Sequence, residues 1–488
     1  MREDVVELVE IRPALRIGWT VGLVAVACCG LARAEEDAEP AHSRRVDVAL
    51  TAKGELHGPA TGSKEGARQP IAMEGRFRFV ETLEPPGADA VAVRQYAQAE
   101  ATLEADGGTQ SLALPADARR IAVARLGTTP QPYLPTAHLS RDELELLETP
   151  FDSVLLEDLL PGRPVAADDH WPLTGDLAAG LLAIDTVEAG TLEARIVEIA
   201  NGRARIALEG VVDGAVDGVP THVVVDGEFM VAAEPDEDGF VLTGDVTQLD
   251  AVVKERRQAS HVAAGFEIEA TVALARAPAD EPIDDETADE ADLAEDADTD
   301  AAADSESDAT LESPRRRGEG RPGLVWYRDP DGRYDIVHEA AWRCVGEDAG
   351  GLVLRLLDLG ALVAQCSITA LPGADDATPP TVDEVKRNVE QSLAGQFKRF
   401  DGVRETVRED DGVRVVRLVS EGVAEGLPFR WIHYVLTDDA GRRVHATFMV
   451  EASLEKRFAS ADERLVAGLR FAAEPTREAR LPSKTVVP

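Results

Sequence analysis

Thr191-Leu192-Glu193-Ala194-Arg195-Ile196-Val197-Glu198-Ile199-Ala200 and Arg203-Ala204-Arg205-Ile206-Ala207-Leu208-Glu209-Gly210-Val211-Val212 flank the dipeptide Asn201-Gly202. Asn-Gly between two such runs is a hairpin signal, because both central residues of the tightest strand-compatible turn need positive φ. Ala204, Ile206 and Leu208 alternate with Arg203, Arg205 and Glu209, the period of a strand with one buried face. The same alternation recurs upstream. Ile71, Met73, Phe77 and Phe79 share one face, with Gly75 between them, while Glu74, Arg76 and Arg78 take the other. Ala90–Leu103, Thr221–Val231, Phe240–Asp250 and Gly265–Ala275 read as further strands. A helical interlude interrupts them: Ser140 and Glu143 form a capping box, Val154–Leu160 is an apolar turn ending at Pro161, and Asp176–Ala183 is a third short helix. These patterns predict a mainly antiparallel β domain over residues 45–278, with small helices packed on one side of a curved sheet.

Both ends of that domain are marked by composition. Arg12 and Arg16 precede an uncharged apolar stretch, Ile17–Leu31, and Ala32-Arg33-Ala34 offers the small residues a signal peptidase reads. Fifteen helical residues reach about 22 Å, short of the roughly 30 Å of a hydrocarbon core. Residues 1–34 are therefore expected to be a signal peptide cleaved after Ala34. The two other readings are a lipid anchor on Cys28 or Cys29, whose preceding Val24-Ala25-Val26-Ala27 lacks leucine, and an uncleaved anchor. Glu3, Asp4, Glu7 and Glu10 make the segment before the apolar run acidic, against the usual pattern. The expected location is exported: periplasm, cell envelope or extracellular.

At the other end, Asp280–Asp308 carries 15 Asp or Glu and no Lys or Arg. Such a run cannot bury enough apolar area to offset its ordering entropy, and residues 279–322 are expected to be a disordered acidic linker. Asp296, Asp298 and Asp300 imitate the opening of a calcium loop. Ala301 stands where the turn glycine belongs and Ser307 where a bidentate Glu belongs, so no calcium site is expected. The chain's net charge is −41, and removing the linker run leaves −26, which argues against nucleic acid or an anionic membrane surface as partner.

Beyond the linker, residues 323–473 read as an α+β domain and residues 474–488 as a disordered tail. Short strands at Leu324–Arg328, Arg333–Val337, Trp342–Val345, Leu352–Leu357 and Leu362–Ala370 precede a helix capped by Thr381 and Glu384. Val382, Val385, Val389, Leu393 and Phe397 stripe that helix. Hairpins turn at Asp411-Gly412 and Asp438–Gly441, and Val444, Ala446, Phe448 and Val450 alternate with Arg443, His445 and Thr447. Ser460 and Glu463 offer a second capping box before Leu465, Val466 and Leu469. The expectation is one antiparallel sheet with two helices packed on it.

The succession Arg333–Val337, Ala341-Trp342, Leu352–Asp358, Val363-Ala364-Gln365-Cys366, a helix, Pro428-Phe429-Arg430-Trp431-Ile432-His433-Tyr434 and Gly441-Arg442-Arg443-Val444 resembles the PsbP-like fold. That family is named after an extrinsic photosystem subunit and recurs in bacterial exported proteins. The amino-terminal part is similar to the corresponding part of those proteins around Leu159-Leu160-Pro161-Gly162-Arg163-Pro164-Val165 and Trp171. The resemblance is one of apolar positions and turns. It implies assembly or binding roles without enzyme activity, and it carries over no functional residue.

No segment carries a catalytic signature. Gly318-Glu319-Gly320-Arg321-Pro322-Gly323 has dinucleotide-loop spacing, but it contains proline and leads into a strand where a helix is required. His433 and His445 lie on the two arms of one hairpin, where an odd loop brings them together and an even one separates them; together they supply two metal ligands where three or four are needed. Asp168, Asp169 and His170 imitate acid–base machinery, yet follow Pro161, Gly162 and Pro164 as a polar turn entering a strand would. Trp171, Trp326, Trp342 and Trp431 are expected in cores. Cys344 and Cys366 are expected to be free thiols, because a meander places the strand Leu352–Leu357 between them. No catalytic, cofactor or metal residue is therefore assigned. The expected function is a non-catalytic envelope protein binding a partner protein or an apolar ligand through the first sheet. The alternative is a structural component with the linker as spacer, and the third reading an exported hydrolase.

Overall fold

A computed structural model describes residues 42–472, apart from 58–67, 86–87, 89, 106–107, 217–218, 238, 259–264, 280–319, 349–350, 359–360 and 373–378. The expected signal peptide, the acidic run with its calcium-like loop, Gly318, Glu319 and the tail from 474 lie outside the described residues.

The alternating runs of the amino-terminal part form one twelve-stranded sheet. Its order is Thr129–Tyr133, Arg120–Leu126, Ala92–Ala105, Arg68–Leu83, Ser43–His57, Gly265–Pro278, Gly239–Arg257, Val219–Asp236, Arg203–Val216, Thr186–Ala200 and His170–Pro172, with Gly108–Ala113 paired beside Ala92–Ala105. The first strand of the chain sits centrally because it pairs with both the second and the last strand of the domain. Asn201 and Gly202 turn with φ of 54° and 74°, the positive values that tight hairpins demand. Bulges after Arg78, Arg205, Asp213 and Met230 add the local twist that coils so wide a sheet into a trough.

The trough is filled by the chain itself. Helix Arg141–Leu147, the 3-10 turn Ser153–Leu159 and helix Gly175–Leu182 lie in it. Ser140 accepts from the Glu143 backbone N–H, and the Glu143 carboxylate accepts from the Ser140 N–H, so the first helix carries the full capping box. Leu144, Leu147, Phe151, Leu155, Leu156, Leu159, Leu177 and Leu181 pack into one core with Val46, Val48, Leu50, Phe77 and Val272 from the sheet. Helix Gly175–Leu182 packs against both Thr129–Tyr133 and Thr186–Ala200, strands from opposite ends of the sheet, and so closes the gap between them.

The carboxyl-terminal part departs from the α+β expectation, and the chain as a whole is mostly β, built on large antiparallel sheets. Its main sheet has seven strands: Trp342–Asp348, Gly351–Asp358, Ala361–Leu371, Arg443–Glu451, Leu427–Thr437, Arg414–Ala424 and Phe397–Val407. Strands Leu324–Arg328 and Tyr334–Glu339 do not join it. They form a second, four-stranded sheet with Leu469–Phe471 and, in parallel, with Leu139–Ser140 of the amino-terminal part. Among the described residues the expected single sheet with two helices is thus two sheets with three α-helices, Val382–Leu393, Glu455–Phe458 and Ala461–Gly468. The helical stripe stops at Leu393, because Ala394 takes φ 46° and Phe397 opens an eleven-residue edge strand. Ser460 sits at φ 62° with no side-chain cap bond, so the second expected capping box does not form. Each face of the seven-stranded sheet buries a core: Val385 and Val389 on Val416, Leu418 and Val435, and Phe458, Leu465 and Val466 on Ile432, Tyr434 and Phe448.

The two parts meet at a packed seam. Val325 pairs with Leu139 and joins the amino-terminal core together with Ala340. The Arg141 guanidinium donates to the carbonyls of Ala340 and Trp342 at 3.0 and 2.8 Å, and the Gly320 N–H donates to Pro135 O.

Candidate functional site

The most concentrated chemistry lies inside the amino-terminal trough. Arg44 and Glu81 sit at the inner-facing positions of their strands, 1% and 0% exposed, with Arg94 at 2%. The Arg44 Nε donates to Glu81 Oε1 at 2.8 Å and the Arg94 Nε to Glu81 Oε2 at 2.8 Å. Arg94 also clamps Asp152 through both terminal nitrogens and donates to the Ser153 hydroxyl, which in turn donates to Glu81 at 2.7 Å. Arg44 reaches Asp245 and Glu157, and Arg276 donates to Glu157 and to the Val246 carbonyl. Three neighbouring strands and the last strand of the domain are thereby tied to the turn Ser153–Leu159.

Burial alone would raise the Glu81 carboxyl, but Arg94, Arg44 and the Ser153 hydroxyl outweigh it and hold its pKa down at about 2. Burial acts against the Arg94 charge as well, and Asp152 and Glu81 reverse it. Every carboxylate of this cluster is held by a guanidinium. Beside it lies a cavity of about 10 Å³, lined in part by Val48, Phe77, Tyr96 and Phe151. That is room for about one water, not for an organic ligand.

Alternation carried a legible sign of this network. Arg44 shares parity with Val46 and Val48, Glu81 with Phe77 and Phe79, and Arg276 with Val272 and Leu274, so each charge falls on the apolar face of its strand.

The residues weighed on sequence grounds fall elsewhere. Asp168 occupies a left-handed turn at φ 67°. Asp169 is held below the usual carboxylate range by hydrogen bonds from Arg163 and the Ala166 N–H, and exposed His170 opens a three-residue strand. Trp171 is buried and donates to Leu159 O at 2.8 Å, and Trp326, Trp342 and Trp431 are buried too. The odd loop does bring His433 and His445 to one face of the seven-stranded sheet, with ring centroids 5.6 Å apart and both rings in contact with the Thr447 hydroxyl. Burial, reinforced by His445, lowers the His433 pKa to about 3. Among the described residues no group of three or more His, Cys, Asp or Glu is placed to hold a metal ion. Cys344 and Cys366 both pair with Leu354 from opposite sides, so the strand Gly351–Asp358 separates two cysteines that form no disulfide.

No family model matches this chain, and no curated protein matches it. Among solved structures, cyanobacterial PsbP from Synechocystis is similar over 30% of this chain and 92% of its own, at 15% identity and a TM-score of 0.25. A Rhodopseudomonas blastica porin mutant is similar over 83% of this chain and 99% of its own, at 10% identity and a TM-score of 0.12. The PsbP likeness is weak and partial, and at these scores neither likeness supports a statement about function. Among the described residues no helix is long and apolar enough to cross a membrane.

Proposed function

We propose that this is a non-catalytic exported protein of the cell envelope that binds a partner protein through the outer face of its twelve-stranded sheet. The observation behind this reading is the filled trough. The concave face that could have taken an apolar ligand is occupied by the leucines of the chain's own helical segment and anchored by the buried ion network. What remains for recognition is the outer face. It carries cross-strand ion pairs such as Asp47–Arg78, Lys254–Glu269 and Arg205 with Glu198 and Glu228, and it exposes Val80 and Val211. Charged pairs around scattered apolar side chains suit a polar protein interface. Export rests on Ile17–Leu31 and the small residues Ala32 and Ala34.

The test is cross-linking mass spectrometry, with lipid extraction, on protein purified from its native envelope. A partner cross-linked to Lys254 on the outer face, with no stoichiometric lipid and a mature chain starting at Glu35, supports the reading. A lipid bound one per chain would overturn it in favour of an apolar-ligand carrier.

A further inference from the structure

The carboxyl-terminal sheet holds a second feature that partner binding leaves unused. One cross-strand row on the face bearing helix Val382–Leu393 runs Arg443, Thr437, Arg414, because Thr437 pairs with Arg443 on one side and with Arg414 on the other. All three side chains share the face of Val435 and Val416, the floor beneath that helix. The Arg414 guanidinium donates to the Pro380 carbonyl at 2.9 Å, just before the helix begins, and to Glu405. Hydrogen bonds from Thr381, helped by Arg443, hold the Glu384 carboxyl at the start of that helix below its usual range, and the Arg443 Nε is buried without a hydrogen-bond partner. Thr437 is 4% exposed, and its hydroxyl is likewise buried without a partner.

Two buried donors directly opposite one another, both unsatisfied, are costly in a folded protein unless something accepts from them. A single acceptor between them removes both costs. An anion suits the place best, since the Arg443 and Arg414 guanidinium groups flank the hydroxyl, while the nearby helix start is already capped by Thr381 and Glu384.

We propose that Arg443, Thr437 and Arg414 bind one oxyanion group of a small ligand, a carboxylate or a phosphate monoester. The guanidinium of Arg443 supplies the charge, the Thr437 hydroxyl donates a second hydrogen bond, and Arg414, already held by Glu405 and Pro380, fixes the wall. With Glu405 on Arg414 and Glu384 near Arg443, the row accommodates one negative charge more readily than two.

The full chain is titrated with sodium acetate and, separately, with inorganic phosphate at constant ionic strength, following heat of binding and thermal midpoint. Saturable binding of at least one anion is expected, and the two arms tell a carboxylate from a phosphate source. Arg443→Gln should weaken that binding about tenfold or more, the loss of one charge-assisted hydrogen bond. Thr437→Val should weaken it several-fold while melting, without anion, at or above the unsubstituted protein. That second variant separates ligand binding from folding, because it deletes only an unsatisfied hydroxyl. If neither anion saturates, or if binding survives both substitutions unchanged, the assignment is overturned.

Discussion

At the scale of single residues, the informative ones are charges that occupy apolar positions. Glu81 is the hub: two arginines and a serine hydroxyl converge on its two oxygens. Removing one partner from a buried ion cluster leaves the others uncompensated and typically costs about 3–5 kcal/mol. Glu81→Gln is therefore expected to lower unfolding stability by that amount in urea titration, whereas Glu269→Gln, at an exposed pair, should change it by less than about 1 kcal/mol. A similar loss for both would mean that the buried cluster is not what holds the trough together. Burial, with Arg141 nearby, lowers His338 to about 3, and burial lowers His433 to about 3 as well, below the usual 6.5. A depressed histidine costs stability when the unfolded chain takes up a proton that the folded chain refuses. Stability should therefore begin to fall as pH drops below 6.5 and keep falling toward 3, with a slope of up to one proton for each histidine. Glu81, depressed to about 2, adds a loss of the same sign only below its unfolded value near 4.5. His433→Gln should remove one proton from the slope between pH 6 and 5, and an unchanged slope would show that His433 titrates freely.

At the scale of elements, the strands were legible and their grouping was not. Asn201-Gly202, the alternation through Phe77 and Phe79, the Ser140–Glu143 box and the Thr381 cap all stand where local chemistry placed them. Period-two patterns reveal which residues face inward but not which sheet receives them, so the expected runs Leu324–Arg328 and Arg333–Val337 stand in the smaller sheet and not in the main one. The helix ending at Leu393 was overrun for a similar reason. Phe397 continues the apolar stripe at helical spacing, and only the left-handed residue at Ala394 breaks it. The buried ion network was readable from parity alone, but a charged residue in a strand is ordinarily taken as solvent-facing. Helix Gly175–Leu182 gives the sharpest test at this scale. A Cβ on Gly180 would lie 2.2 Å from the Thr128 carbonyl oxygen, where backbone must move. Gly180→Ala should cost about 1–3 kcal/mol and loosen the closure between Thr129–Tyr133 and the helix. Gly162→Ala, in open space at φ 63°, should cost only the smaller backbone strain of about 1 kcal/mol. Equal and small effects in chemical denaturation would mean that the helix does not hold the gap shut.

At the scale of the whole molecule, a wide sheet coils around its own helical segment and a second sheet system docks beside it. The docking runs through real chemistry. A parallel strand pair, the Arg141 clamp on two carbonyls and the burial of Val325 and Ala340 in the amino-terminal core tie the parts together. Among the described residues only Leu139 and Ser140 cross over as strand, and a two-residue strand has no sequence pattern of its own. The segment in the trough is either a permanent filling or a lid. Hydrogen–deuterium exchange on the full chain at neutral pH distinguishes the two most directly. A filling anchored by Arg44, Glu81, Arg94 and Asp152 predicts that amides of Leu144–Leu147 and Ala178–Leu182 exchange as slowly as those of Val46–Leu50 and Val272–Leu274, through one shared opening. Rapid exchange across Arg141–Leu182 with those strands still protected would show a lid that opens alone, and the trough would then be a ligand compartment.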